Sequence, residues 1–181
     1  MDPSRITCFF GSSPITERDR TVCRARSQDV RKDPRDRLGR ELAMAVAINC
    51  DMGESFGLYK MGDDDGIMPH ITVANVACGF HASDPVVMHK TVRLAKQHEV
   101  KVGAHPSFPD LQGFGRREMR IPRAELSDIL IYQIGALRAF LEAEGMPLNH
   151  IKPHGVLYGM AARQEEVAHA VCDAADVFGV E

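Results

Sequence analysis

An α/β fold of parallel strands alternating with helices is predicted by three features of the sequence. Short apolar runs rich in β-branched residues, at 45–51, 71–78, 100–104 and around Ile151, are separated by stretches with helical period or by long turns. The connections have the length that parallel crossovers need, which makes right-handed βαβ units the expected topology. Each run also ends in residues able to carry chemistry: Asp51, then His81, then His105, then Lys152 and His154. In open sheets and closed barrels alike, reactive groups gather at the carboxyl ends of parallel strands.

The elements follow in order. Residues 1–43 hold Gly-Ser-Ser-Pro, Lys-Asp-Pro and interspersed Arg and Asp, with few apolar residues and no sustained period, so a disordered extension is expected there. Met44 stands just ahead of the first strand, where a natural start is expected, and residues 44–181 are the expected folded domain. The Gly- and Asp-rich segment 52–66 reads as a long loop with a short helix or turn at 63–68. Its acidic triplet lacks EF-hand spacing and a closing glutamate, so calcium is not expected. Asp84 followed by Pro85 is an N-cap and first-turn pair, and Met88, Val92 and Ala95 form the stripe of a helix running to about Gln97. After the strand at 100–104, the Pro- and Gly-rich loop 105–117 has the length of a functional lid or binding loop. Pro122 opens a helix whose Leu126, Leu130, Ile134, Leu137 and Leu141 share one face, closed by Gly145. A strand centred on Ile151, a loop at 153–159 and a helix with Val167, Val171, Ala174 and Phe178 on one face complete the pattern.

Composition narrows the function classes. With 44% hydrophobic residues the 181-residue chain can bury one core of ordinary size. It has no apolar run long enough to span a bilayer and no apolar signal segment, so a cytoplasmic protein that does not enter the membrane is expected. The five cysteines are widely spaced and contain no CxxC pair, which suits reduced thiols. Residues 1–40 carry ten Lys and Arg against six Asp and Glu, leaving twelve against nineteen for the remainder. That basic arm has neither helical period nor interleaved aromatics, so nucleic-acid binding is not expected. Walker-type and GxGxxG phosphate loops are absent, as is a serine nucleophile elbow.

Four successive strands ending in ionisable or metal-competent residues form a specific signal. Asp51, His81 and His105 suit a divalent ion with positions left open for water and substrate, as hydrolysis requires. Asn49, Glu54 and Asp84 are candidates to support that centre or to act as general base. Lys152 can stabilise a developing oxyanion or phosphate, and Arg116 can clamp a carboxylate. Plain structural roles compete with these: Asp84 as a helix cap, His154 as a strand terminator, Asn49 as an ordinary strand residue. His70, His89, His98, His150 and His169 are expected on helix surfaces or turns, without a role.

Six segments together resemble one family. Ile-Asn-Cys-Asp-Met-Gly-Glu (48–54), Ala-Asn-Val-Ala-Cys-Gly-Phe-His-Ala-Ser-Asp (74–84), Gly-Ala-His-Pro-Ser-Phe-Pro-Asp (103–110), Gly-Phe-Gly-Arg (113–116), Tyr-Gln-Ile-Gly-Ala-Leu (132–137) and Ile-Lys-Pro-His-Gly-Val-Leu-Tyr (151–158) are similar to the LamB/YcsF family, that of the A subunit of prokaryotic ATP-dependent 5-oxoprolinase. The resemblance implies an irregular (β/α) barrel of the glycoside hydrolase/deacetylase type. It also implies a reaction, the opening of 5-oxo-L-proline to L-glutamate with ATP as co-substrate, carried out with partner subunits B and C. Asp51, Glu54, Asp84, Lys152 and His154 are then the expected catalytic residues, Asn49 and Arg116 the expected substrate contacts, and Asp51, His81 and His105 the positions matching the metal site of deacetylase relatives. Residues 1–43 have no counterpart in the family pattern, and the chain ends where a further strand is expected, so it is expected to hold the N-terminal portion of the barrel. Two other readings stay open: a metal-dependent deacetylase-like amidohydrolase with another substrate, and an inactive fragment.

Overall fold

The computed structural model describes residues 46–180; the expected extension at 1–43 and the expected strand start at Ala45 lie outside them. Four strands, β1 (Asn49–Met52), β2 (Val73–Ala77), β3 (Lys101–His105) and β4 (Leu148–Ile151), form one sheet in sequential order with every pairing parallel. The helices are α1 (Asp64–Ile67), α2 (Pro85–Gln97), α3 (Arg123–Ala143), α4 (Gly155–Ala161) and α5 (Glu165–Phe178), with a 3₁₀ turn at Met68–His70. The α/β prediction therefore holds. Sequential order of parallel strands separated by helices is the order found in a (β/α) barrel. Among the described residues β1 and β4 each keep one edge unpaired, so the sheet is open there.

Side chains alternate between the two faces of a strand, and this sheet divides its chemistry accordingly. Met52, Ala74, Val76, Val102 and Ala104 belong to the hydrophobic core and are at most 1% exposed. Asn49, Asp51, Asn75, Gly103 and His105 occupy the alternate positions. The helical face of the core is dominated by α3, whose Leu126, Leu130, Ile134, Leu137 and Leu141 are all buried as their spacing predicts. Each such leucine contributes about 1.5–3 kcal/mol by leaving water. Val167, Ala170 and Ala174 of α5 are buried, with Val171 and Phe178 partly buried against the core. Arg123 closes the α3–α5 contact at its exposed end, donating two hydrogen bonds of 2.8 Å to the Asp173 carboxylate.

Three boundaries differ from expectation. β1 runs from Asn49 to Met52 instead of 45–51, because Ile48 O accepts from both Thr72 N–H and Val73 N–H and the Thr72 hydroxyl takes up Ile48 N–H, which ends the regular ladder. β4 ends at Ile151, where it was expected to be centred. The expected loop at 153–159 instead contains α4. That helix starts at Gly155 with φ +58°, has no side-chain N-cap and includes Gly159, so local start signals are missing. Leu157 and Met160, three apart and buried, hold it on the core; tertiary burial overrides weak propensity here.

The long loop after β3 is pinned at two places. Gln133, wholly buried on α3, donates to Ser107 O at 2.8 Å and accepts from Ser107 N–H at 3.0 Å. Farther on, the Asp110 carboxylate accepts from Gly113 N–H and from the Arg117 guanidinium. The Arg117 guanidinium is the main reason that the Asp110 carboxyl is drawn down to about 2. A carboxyl with a lowered pKa in the fold contributes stability that is full above its unfolded pKa and vanishes as pH falls through the folded value. Arg117→Met is accordingly expected to lower the Tm at neutral pH, with the difference from the parent closing between about pH 4 and about pH 2. Thermal melts across that range check this; a difference that ignores pH would remove the ion pair as its cause.

Candidate active site

Four side chains converge beyond the carboxyl ends of the strands. His105 ends β3, His81 and Glu54 lie in the turns just after β2 and β1, and His154 immediately precedes α4. One nitrogen from each imidazole and one Glu54 oxygen all lie within 4.8 Å of one another. The three histidines are 0–3% exposed.

The hydrogen bonds at the far sides of two rings determine their tautomers. His105 Nδ1 is 2.6 Å from Lys152 O and His154 Nε2 is 2.9 Å from Phe114 O; a carbonyl only accepts, so both nitrogens carry hydrogen. The remaining nitrogens, His105 Nε2 and His154 Nδ1, face each other at 3.0 Å. Two lone pairs at that distance repel unless a cation lies between them, whether a proton or a metal ion. His81 stacks on His154 with ring centroids 3.8 Å apart, and neither of its nitrogens has a hydrogen-bond partner. Its Nε2 is 3.6 Å from Glu54 Oε1, itself buried and unpartnered, and Glu54 Oε1 is 3.7 Å from His154 Nδ1. Burial is the main cause that pulls the His81 pKa down and takes that of His154 down to about 4, so both rings favour the neutral form a metal requires.

These residues fit a divalent ion. Zinc–nitrogen bonds of about 2.0–2.1 Å imply ligand atoms about 3.4 Å apart around a tetrahedron, against 3.0 Å for His105–His154, 3.6 Å for His81–Glu54 and 3.7 Å for His154–Glu54. Three imidazoles and a carboxylate are also the donors that zinc and neighbouring transition metals take. Two carboxylates face the histidines: Glu54 Oε1 within the group and Asp51 Oδ2 beside it. Asp51, expected as the carboxylate ligand, stands next to the group, with its Oδ1 accepting from Lys152 Nζ at 2.6 Å and Asn75 Nδ2 at 2.7 Å. Its Oδ2 is 3.3 Å from His105 Nε2. Burial raises the Asp51 pKa, but the neighbouring His105, the Lys152 ammonium and the Asn75 amide outweigh it and hold the carboxyl far below the usual range.

Beside this group lies an open cleft of about 520 Å³ lined by Asn49, Asp51, His105, Arg116, Lys152, His154 and Tyr158, among others. Arg116 is exposed, with its guanidinium 5.6 Å from the Phe114 ring centre, and the Phe114 ring meets His81 and His154 edge-on. The loop holding these groups depends on Gly115: its φ is +63°, and a Cβ there would come within 2.2 Å of Ser107 Oγ and 3.0 Å of His154 and His81. Asp84 is not brought to the cluster. Its Oδ1 accepts from Val86 N–H and Val87 N–H as the cap of α2, and its Oδ2 accepts from Gly57 N–H at 2.8 Å.

Sequence reasoning missed Asn75 and His150. Asn75 is a fully buried amide in the middle of β2, and His150, expected on a surface or turn, lies half-buried in β4 with its Nε2 2.7 Å from Asn75 Oδ1. A polar residue inside the apolar run 71–78 was the available signal, since a buried amide must find partners.

The LamB/YcsF family model matches residues 46–180, which include every residue of this site. The chain is 57% identical over 129 residues to the 5-oxoprolinase A subunit of Bacillus cereus (strain AH187), covering 71% of this chain and 51% of that protein. It is 58% identical over 130 residues to the 5-oxoprolinase A subunit of Pyrococcus furiosus, covering 72% and 51%. The chain thus spans about half the length of the curated relatives it matches. Among solved structures, the lactam utilization protein from Thermus thermophilus superposes with a TM-score of 0.73 at 53% identity, covering 75% of this chain and 55% of that one. The chain belongs to the LamB/YcsF family.

Proposed function

We propose that this chain works as the A subunit of an ATP-dependent 5-oxoprolinase, opening 5-oxo-L-proline to L-glutamate in the cytoplasm together with the B and C subunits. The observation that carries this reading is the identity of 57–58% to proteins named as A subunits of 5-oxoprolinase. The cleft supports it chemically. A five-membered lactam is an unreactive amide, and phosphorylation of its carbonyl oxygen by ATP makes the carbon attackable. Water adds there, the C–N bond breaks as the ring nitrogen takes up a proton, and a second water hydrolyses the resulting acyl phosphate to the L-glutamate carboxylate and phosphate. Asp51, held ionised beside the cleft, takes a proton from the attacking water. Lys152, adjoining Asp51, stabilises the oxygen or phosphate charge that develops. Arg116 binds the substrate carboxylate, and Asn49 hydrogen-bonds the ring. Glu54, His81, His105 and His154 would hold a divalent ion, which when bound supplies a Lewis acid next to that carbonyl.

The test is formation of L-glutamate from 5-oxo-L-proline by the purified chain mixed with the B and C subunits and ATP. A parallel sample uses the chain completed with the remaining half of the Bacillus cereus relative. ATP-dependent glutamate is expected; none from either sample, with the same partners active beside the Bacillus cereus protein, overturns the reading. The cluster of three histidines and Glu54 favours a second reading, a metal-dependent amidohydrolase of the deacetylase type. Turnover of another amide that needs no ATP and stops with a chelator would select it.

A further inference from the structure

One row of residues crosses the sheet at right angles to its strands. Asp51 of β1 is in register with Asn75 of β2, and Asn75 with Gly103 of β3. His150 of β4 lies where a side chain on Gly103 would stand, since a Cβ there would come within 2.1–2.4 Å of the imidazole ring. Glycine at 103 therefore lets the ring reach past β3 to Asn75. An amide oxygen only accepts, so the 2.7 Å contact from His150 Nε2 assigns hydrogen to that nitrogen and turns the Asn75 oxygen toward β4. The Asn75 NH₂ group is then aimed at β1, 2.6 Å from Asn49 Oδ1 and 2.7 Å from Asp51 Oδ1, while Asn49 Nδ2 donates back to Asn75 Oδ1 at 3.1 Å. Every donor and acceptor of this fully buried amide is engaged.

We propose that Gly103, His150 and Asn75 are positioning residues that orient the Asp51 carboxylate and the Asn49 amide at the cleft; this rests on the reading of Asp51 as the base. The interior of a parallel sheet is ordinarily apolar, and a polar row there has no packing advantage over hydrophobic residues. This one ends at two cleft residues. Lys152 alone would not orient Asp51, because an ammonium is a compact charge on a flexible stem, whereas an amide N–H has a direction. His150 acts through Asn75: removing its N–H leaves the Asn75 oxygen with Asn49 Nδ2 alone, so the amide is held less firmly in the orientation that aims its NH₂ at Asp51.

The experiment has two arms on the full chain. In the complex with the B and C subunits, His150→Leu is expected to lower kcat by about 10–100-fold, in the range seen when residues behind a site are removed, with KM within about threefold. His150→Gln, whose amide N–H can replace the lost donor, is expected to recover most of that loss. Gly103→Ala combined with His150→Leu should be no worse than the poorer single variant, since both break one contact. Parental kcat in His150→Leu, failure of Gln to rescue, or additive losses would overturn the proposal. In the second arm, imidazole ¹⁵N shifts of the labelled chain are expected to report hydrogen on His150 Nε2, whichever state Nδ1, 3.2 Å from Asn149 Oδ1, takes. Hydrogen on Nδ1 alone overturns the row, with or without turnover. If the parent makes no glutamate, the proposed function falls while the tautomer still decides the row.

Discussion

Asp51→Asn is expected to lower kcat by about 10²–10⁴-fold, the range lost with a general base, while KM changes only a few-fold. Asparagine has the shape of aspartate, so the fold and the cleft are retained, and an oxygen can still accept from Lys152 or Asn75. What disappears is the negative charge that those donors and His105 hold in place. The lost group touches the reacting water in the proposed chemistry and makes no contact assigned to substrate binding, which is why the loss falls on kcat. Steady-state kinetics of glutamate formation in the complex, with the Tm of each variant as a folding control, check it. A variant within threefold of parental kcat would remove Asp51 as the base and leave it as the counter-ion of Lys152.

Much of this geometry was legible in the sequence, for a physical reason. Parallel strands buried on the core side read as short apolar runs, so the residues where each run stops mark the sheet's carboxyl end, and Asp51, His81, His105, Lys152 and His154 were found that way. The α3 stripe was equally plain because five apolar residues, from Leu126 to Leu141, keep one helical period within the 21-residue helix. What escaped depends on which strand faces which. That Glu54 approaches His81 and His154 while Asp51 lies between His105 and Lys152, 101 residues away in sequence, is visible only once the strands are side by side. His150 read as a surface residue because β4 was centred one residue too late, and because the register shift between β3 and β4 near Gly103, which accompanies its reach toward Asn75, leaves no trace in a single strand's pattern. α4 was missed since its glycines signal a loop, and only burial of Leu157 and Met160 makes it a helix.

The second large effect expected is on metal uptake. The purified chain is expected to bind one divalent ion, and Glu54→Gln or His154→Ala to weaken that binding at least 100-fold, since loss of a direct ligand should exceed the 10–100-fold typical of residues one layer out. Asp51→Asn should leave the stoichiometry at one, which separates the set of Glu54 with three histidines from one built on Asp51. Zinc calorimetry and metal analysis measure this without any turnover. An ion that binds only the folded chain also stabilises it, by about 2.7 kcal/mol when free metal is 100 times Kd, so the zinc-dependent rise in Tm should shrink in Glu54→Gln to what about 0.4 kcal/mol produces. The contrary result has an equally definite structural meaning. If zinc neither binds nor raises the Tm, the 3.0 Å contact between His105 Nε2 and His154 Nδ1 is held by a proton, and one of the two rings is an imidazolium. Asp51 Oδ2, 3.3 Å from His105 Nε2, is then its counter-ion. The site would then work as a proton store beside the cleft, with His105, Asp51 and Lys152 acting as one charged unit.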